Sequence, residues 1–302
     1  MKIKFRMIQI WRGLKVVFGI SKFHHRIGIN GFDNNNLYPL DLSEKIKFDY
    51  FEVDGIPKVK LTNGRLINFP IHQAQLALAY WDKYIKNDDD NALLKFEIIC
   101  KSLIGQVDYY GRVDTWSQIR PNSSKYSAMA QSLVASVMLR YELFVIKKPP
   151  IYAEKLMNAL VNEACFRNKK YGVLEEMPDS RHPCILNGWI YSLIIFFECE
   201  RINSSYQYRE FLDKQLIYLE KEWPNYLFRF GSYYDLGLNY ASPFYHDLHI
   251  KQVKILNEIT DNRFEAFYLE LIRRNKPWHR AAATFIKGLQ KLREPVFNEI
   301  QG

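Results

Sequence analysis

The sequence predicts a mainly α protein, an α/α toroid of about four helical hairpins, preceded by a small irregular or β N-terminal segment. Three observations point there. From Pro70 onward, apolar residues recur at three- and four-residue spacing in one segment after another, the period of helices that bury one face. Polar punctuation separates these segments at Asp88-Asp89-Asp90, at Lys147 to Pro150 and at Asn203-Ser204-Ser205. No fixed-period consensus repeats along the chain, which favours hairpins curled into a ring over an open solenoid.

The first stretch, Met1 to Phe18, mixes Ile8, Ile10, Trp11, Val16, Val17 and Phe18 with Lys2, Lys4, Arg6, Arg12 and Lys15. These charges break any apolar run long enough to span a bilayer, and no small-residue cleavage site follows. Two readings stand for it: an arm packed on its own domain, or a basic amphipathic segment resting on a membrane surface. The expectation is a cytoplasmic protein that touches the inner membrane, if at all, through this arm. Between Gly28 and Leu66 the chain is rich in Asn, Asp, Gly and Pro, and Thr62-Asn63-Gly64 after Lys58-Val59-Lys60-Leu61 is a hairpin-type turn signal. The chain therefore divides into 1–66, the arm and small irregular or β segment, and 67–302, the helical domain. Helices are predicted over 71–86, 91–106, 126–146, 151–167, 185–202, 206–222, 244–260 and 262–274. Long connections interrupt them at Gln106 to Lys125, Lys169 to Cys184 and Asn225 to Pro243, the last with an aromatic-rich run of hairpin character. In such folds the loops at one rim carry the chemistry.

Composition narrows the partners. A 302-residue chain with 48% hydrophobic residues builds a sizeable core. Its 20 Tyr, 20 Phe and 6 Trp suit a groove that stacks sugar rings and equally an aromatic core. An excess of 42 Lys and Arg over 33 Asp and Glu gives +9, a field that attracts polyanions. The basic residues are scattered, with no zinc-finger spacing and no aromatic ribonucleoprotein signature, so nucleic acid is not the expected partner. Cys100, Cys165, Cys184 and Cys199 lack the paired spacing of a zinc site or disulfide framework and read as reduced thiols.

The second long connection holds Leu174-Glu175-Glu176-Met177-Pro178, then Arg181, His182 and Pro183. The adjacent carboxylates read either as a solvated surface pair or as functional acids. Asn187 and Tyr191, one turn apart, place polar groups on a shared face at the start of an otherwise apolar helix. The third connection runs Tyr233-Tyr234-Asp235-Leu236-Gly237 and then Pro243-Phe244-Tyr245-His246-Asp247-Leu248-His249-Ile250. His246 and His249 stand three apart on a helix. Asp247 between them falls on another face, so hydrogen bonding to sugar or neighbouring loops is preferred over metal ligation, and no metal is expected.

Taken together, Tyr126-Ser127-Ala128-Met129-Ala130-Gln131, Leu186-Asn187-Gly188 with Tyr191-Ser192-Leu193, Tyr234-Asp235-Leu236, and Tyr245-His246 followed by His249-Ile250 resemble the C-terminal catalytic region of the D-glucuronyl C5-epimerase family. Their order and rough spacing agree, and a looser similarity extends upstream through Tyr38-Pro39-Leu40-Asp41-Leu42 and from Pro70 to Leu78. The resemblance implies an α/α toroid with a substrate cleft, and Glu176, Tyr234 and Tyr245 as the catalytic group. Asn187, Tyr191, His246, His249, Arg181 and Gln131 are the expected substrate contacts. The chain departs from the family pattern at Met177 and Leu76, each in place of Tyr, and at Gly237 in place of Arg. Loss of that guanidinium removes a bidentate carboxylate clamp, for which Arg181, Arg229 or His182 are the substitutes nearest in sequence.

The chemistry is consistent with the residue types. The C5 hydrogen of a uronate is acidic because the carboxylate accepts charge as the proton leaves. Inversion therefore needs a base, an acid on the opposite ring face and stabilisation of the enolate, with no cofactor. The leading expectation is a C5-epimerase acting on an acidic uronate-containing glycan; a uronate lyase, a glycoside hydrolase using Glu176 and Asp235, and a non-catalytic glycan-binding relative are the alternatives. The sequence does not fix the oligomeric state; a homodimer is one candidate assembly, because many toroids of this kind need an extra surface to close them. If the basic charge draws the glycan in, affinity for heparosan measured by calorimetry falls as salt rises from low to physiological strength; salt-independent binding contradicts the electrostatic account.

Overall fold

In the computed structural model the described residues are 27–32, 36–47, 50–61, 63–121, 124–178, 182–293 and 300–301. The arm from Met1 to Phe18 and Arg181 lie outside them. The chain is mainly helical: α1 (Pro70–Asn87), α2 (Asp90–Ile104), α3 (Ala128–Arg140), α4 (Ile151–Asn162), α5 (Leu186–Asn203), α6 (Arg209–Glu222), α7 (Pro243–Ile259), α8 (Glu265–Arg273) and α9 (Pro277–Arg293). Successive helices pair as α1 with α2, α3 with α4, α5 with α6 and α7 with α8. The first members of these pairs also pack on one another in series, α1 on α3, α3 on α5 and α5 on α7, so α3 and α5 are walled in on several sides. Their sequences match this placement, since every residue of α3 and all of α5 up to Cys199 is buried. The stretch Ala128–Val145 is long and apolar enough to cross a membrane, and it is instead 83% buried inside the protein.

The predicted elements are present with small shifts at their ends. The helix expected over 126–146 is α3 continued by a π-helical turn, Tyr141–Val145, and the Glu142 carboxylate in that turn accepts from the backbone N–H groups of Tyr152 (2.8 Å) and Ala153 (3.0 Å), capping α4. The helix expected over 151–167 ends at Asn162, followed by a 3₁₀ turn, Ala164–Phe166. The C-terminal helix α9 was not predicted. Its large apolar residues Trp278, Phe285 and Leu289 are exposed and its buried positions are His279 and Ala283, so it has no strong apolar buried stripe.

The N-terminal segment forms short antiparallel pairs, β1 (Gly28–Ile29) with β2 (Leu40–Asp41), and β4 (Ile56–Leu61) with both β3 (Phe51–Val53) and β5 (Leu66–Ile67). Of the expected turn, Thr62 lies outside the described residues; β4 and β5 on either side are closed by Leu61 N–H to Arg65 O at 2.9 Å, with Gly64 at φ 87°. Strand β4 also pairs with β8 (Ile300–Gln301). Strands β2, β4 and β5 share one continuous hydrophobic core with the helices through Leu40, Val59, Leu61 and Ile67. Strand β1 touches α7 at one end of the helical series, while Asn30 and Tyr38 bond to Asp82 of α1 at the other. The chain between them is anchored from below: Trp81 Nε1 donates to Asn36 O at 2.9 Å, and Arg140 Nη2 donates to Leu37 O at 3.0 Å.

Arg140 is wholly buried and paired with the equally buried Glu198 at 2.5 Å, whose other oxygen accepts from Ser136 Oγ at 2.5 Å. This network ties α3 to α5 and to the N-terminal segment. Removing one partner leaves the other charge buried and uncompensated. Glu198→Ala is expected to lower unfolding free energy by about 3–5 kcal/mol in urea titration, with more than half of that penalty recovered when Arg140→Met is added.

Candidate active site

The candidate residues gather where the long connections meet the N-terminal ends of α3, α5 and α7. The segment Leu174–Met177 is gripped there from several directions. Ala128 N–H at the start of α3 donates to Glu175 O at 3.0 Å, and Trp116 Nε1 in the first long connection donates to Glu176 O at 3.0 Å. The Glu175 carboxylate accepts from the backbone N–H of Cys184, of Ile185 (3.2 Å) and of Glu176 (3.0 Å). It therefore satisfies donors at the start of α5, where no side chain of the helix's own N-cap, Ile185, does so.

The adjacent carboxylates thus have opposite fates, and neither is on the surface. Glu175 is consumed by backbone donors. Glu176 is buried with Oε2 lacking any protein partner, and burial, reinforced by the charge of Glu175, pushes its carboxyl up to about 8 against the pull of Arg120 and a hydrogen bond from Asn187. Glu176 lies against the first turn of α5 at Gly188, where a Cβ would stand 2.5 Å from Oε2 and 2.6 Å from the glutamate Cβ. Gly188 is required by this close approach.

Two tyrosines close over the same space. Tyr234 follows the hairpin of β6 (Leu227–Phe228) and β7 (Gly231–Ser232), and Tyr245 sits in the first turn of α7, its N–H facing the N-cap Ser242. Their rings meet edge to face at 4.8 Å between centroids, and their hydroxyls are hydrogen-bonded. Burial and the nearby Glu176 hold Tyr234 well above the ordinary phenol range and push Tyr245 up to about 12, so both keep their protons at neutral pH. Tyr191 of α5, also raised by burial, feels Tyr245 and Glu176 and has an unpartnered buried hydroxyl. Asp235 builds the loop that carries Tyr234. Its carboxylate accepts from the N–H groups of Gly237 (2.9 Å) and Asn239 (3.2 Å), and pairs with His182 Nδ1 at 2.7 Å.

This placement sorts the sequence candidates. Glu176, Asn187, Tyr191, Tyr234, Tyr245 and His249 come together. Gln131 does not: its amide donates to Gly111 O (2.6 Å) and Leu156 O (2.9 Å) and its oxygen accepts from Val113 N–H (3.1 Å), so it staples the first long connection to α3 and α4. His246 has both nitrogens engaged, with Ser232 Oγ (2.9 Å) and Leu271 O (3.2 Å). Asp235, wholly buried and occupied by its loop, is not placed as a second hydrolytic carboxylate. Of the clamp substitutes, His182 is engaged with Asp235, and Arg229 lies over the Phe230 ring at 5.2 Å. Among the described residues, the cation that acts on Glu176 is Arg120, which sequence reasoning passed over. It stacks on Trp116 at 5.6 Å and reaches Met177 Sδ at 3.1 Å. Nothing in the irregular run around Arg120 marks it, because its approach depends on how the first long connection folds back. Among the described residues, no three His, Cys, Asp or Glu side chains are grouped to hold a metal ion.

The segment that contributes these side chains is also the one matched in comparison with known families. The sequence profile of the D-glucuronyl C5-epimerase C-terminus matches residues 105–274, more than half of the chain. The chain belongs to the D-glucuronyl C5-epimerase C-terminal family. No curated protein matches it. Within this C5-epimerase domain fall Arg120, Glu176, Gly188, Tyr234 and Tyr245, whereas the β1–β5 segment, α1 and α2 precede it and α9 follows it.

Two outcomes test the geometry of this epimerase-family site. Gly188→Ala displaces the Glu176 carboxylate and is expected to cut activity by about 100-fold while leaving the far-ultraviolet circular dichroism unchanged. The second concerns pH. Folding raises the Glu176 pKa from 4.5 to about 8, so between those values the folded protein holds a proton that the unfolded chain has released, and stability falls as pH rises through that window. Asp82, pushed up to about 7 by burial, acts in the same sense. The difference between wild type and Glu176→Gln therefore isolates Glu176. The variant is expected to gain on the wild type by a few kcal/mol between about pH 5 and pH 9 in urea titrations, and parallel curves contradict the assignment.

Proposed function

We propose that the protein inverts C5 of D-glucuronate residues to give L-iduronate in an acidic polysaccharide or oligosaccharide. The observation that carries this reading is the juxtaposition of one buried, partnerless carboxylate oxygen with two buried, protonated phenols in the segment shared with the epimerase family. Glu176 takes the C5 proton, and the electrons of the broken C–H bond pass into the sugar carboxylate as an enolate. The Tyr245 hydroxyl delivers a proton to the opposite face of C5 as the enolate collapses. The resulting phenolate shares its charge through the hydrogen bond with Tyr234, and transfer of the Glu176 proton to it through solvent restores the starting state.

The surroundings favour an anionic substrate. The N-terminal ends of α3, α5 and α7 direct partial positive charge towards the cluster. Arg120 supplies a full charge beside Met177, and this guanidinium meets the uronate carboxylate, stabilising the enolate more than the substrate. A depression of about 330 Å³ lined by Phe32, Phe197, Arg201, Tyr206 and Glu258 lies at the C-terminal ends of α5 and α7, away from these groups.

Proton NMR of heparosan incubated with the protein in deuterium oxide tests the proposal. The expected outcome is deuterium at C5 together with iduronate signals, lost by at least about 100-fold in Glu176→Gln and Tyr245→Phe. The rate is expected to rise with pH towards about 8 as the Glu176 carboxylate forms in the free enzyme. Unsaturated product absorbing in the ultraviolet assigns a lyase instead. Binding without exchange assigns a glycan-binding relative.

A further inference from the structure

Behind the catalytic cluster, a chain of hydrogen bonds determines which nitrogen of a buried histidine carries a proton. His246 Nε2 lies 3.2 Å from Leu271 O. A carbonyl only accepts, so His246 carries its proton on Nε2. Burial holds His246 neutral, pushing its pKa down to about 4, and its Nδ1 is therefore a bare acceptor. Ser232 Oγ, 2.9 Å from that Nδ1, must donate to it. A serine hydroxyl has a single proton, so its 2.8 Å bond to His249 Nδ1 runs the other way, with His249 as donor. His249 is wholly buried and held neutral by that burial, with the neighbouring His246 acting in the same direction. Its one proton is thus on Nδ1, and Nε2 is left as a lone pair.

That lone pair faces a built environment. Tyr245, His249 and Gln252 lie at i, i+4 and i+7 on α7, one stripe of the helix. The stripe faces the start of α5, because Gln252 Nε2 donates to Asn187 O at 3.0 Å and Tyr191 feels Tyr245. Ser232 holds the Nδ1 side of the His249 ring, which turns Nε2 away from the β6–β7 hairpin and into the space between α5 and α7. His249 Nε2, Asn187 Oδ1, Gln252 Oε1 and Glu176 Oε2 are all buried and without protein partners, and the amide nitrogens of Asn187 and Gln252 are engaged elsewhere. Apart from the Tyr191 hydroxyl and a protonated Glu176, this is a set of acceptors.

We infer that His249 is a substrate-binding residue that presents an unprotonated Nε2 to accept a hydroxyl proton of the sugar, and that Ser232 is the positioning residue that fixes this tautomer. Identification of the donor as a sugar hydroxyl rests on the proposed function; the tautomer does not. An uncapped acceptor buried in the protein costs stability unless a ligand satisfies it, and a sugar ring hydroxyl brings a donor to a site in which acceptors outnumber donors.

Nitrogen NMR of the full chain labelled with ¹⁵N-histidine reads the tautomers without substrate or turnover. The expected spectrum has His249 protonated on Nδ1 alone and His246 on Nε2 alone. In Ser232→Ala the His249 proton moves to Nε2, in Ser232→Thr it stays on Nδ1, and heparosan oligosaccharide binds Ser232→Ala about tenfold more weakly than either hydroxyl-bearing form. A wild-type His249 bearing a proton on Nε2 overturns the inference, as does a Ser232→Ala spectrum identical to wild type. If Ser232→Ala fails to fold, the wild-type spectrum and Ser232→Thr still decide the tautomer. Heparosan that shows no C5 exchange with a His249 tautomer as expected removes the epimerase reading alone, whereas affinity unchanged in a folded Ser232→Ala removes the assigned role of His249 in binding.

Discussion

The Glu175 carboxylate is the contact on which the site depends. A helix that begins inside the protein has N–H groups that neither its own backbone nor water can satisfy, and α5 begins in that way. Glu175 reaches across from the preceding connection and accepts from Cys184 and Ile185, while its own backbone oxygen receives Ala128 N–H from α3. Two inner helices and a long connection are thereby fixed against one another through one residue. Glu176 is the next residue in the chain, so its position is inherited from this arrangement. Gly188 lets the carboxylate lie against α5, and the Tyr234 loop docks on the same helix start through Leu186 N–H to Tyr234 O at 3.0 Å.

Around this anchor the protein departs from the usual rule that buried polar atoms are paired. The polar groups that hold the surrounding scaffold are paired. Arg140 and Glu198, Asp235 with its loop, Gln131 with three backbone groups, and Glu142 at the start of α4 are all satisfied by named partners. Glu176 Oε2, Asn187 Oδ1, the Tyr191 hydroxyl, His249 Nε2 and Gln252 Oε1, all without protein partners, belong to α5, α7 and the Glu176 segment, while His72 Nε2 and His279 Nδ1 are single cases elsewhere. Unsatisfied groups surrounded by satisfied ones distinguish a site from loose packing, because a rigid shell holds in place atoms that would otherwise rearrange to find one another.

The departures from the family pattern acquire a structural context. Gly237 fits a tight turn, where a Cβ would stand 3.1 Å from both Asp235 Oδ1 and Pro183 Cδ, so this loop has no room for a longer side chain without shifting. Met177 contacts Arg120 through its sulfur, and Arg120 comes from a different connection. Arg120 thus brings positive charge near Glu176 from a connection other than the one in which the family pattern has Arg.

Local pattern in the sequence determined the helical class, the order of the hairpins, the β4–β5 turn and the loops that carry the candidate residues. Helical periodicity and turn chemistry are properties of neighbours in the chain, and they are strong wherever a face is buried. Tertiary structure alone decided which of two adjacent glutamates is structural and which is left without a partner, why Gln131 and His246 are engaged by the scaffold, and that Arg120 approaches Glu176. Helix α9 escaped detection because its buried stripe is weak. Each of these outcomes depends on burial and on partners distant in sequence, as with Glu176 and Trp116, or Ser232 and His249. Desolvation and hydrogen-bond geometry act across that distance, and no spacing along the chain encodes them.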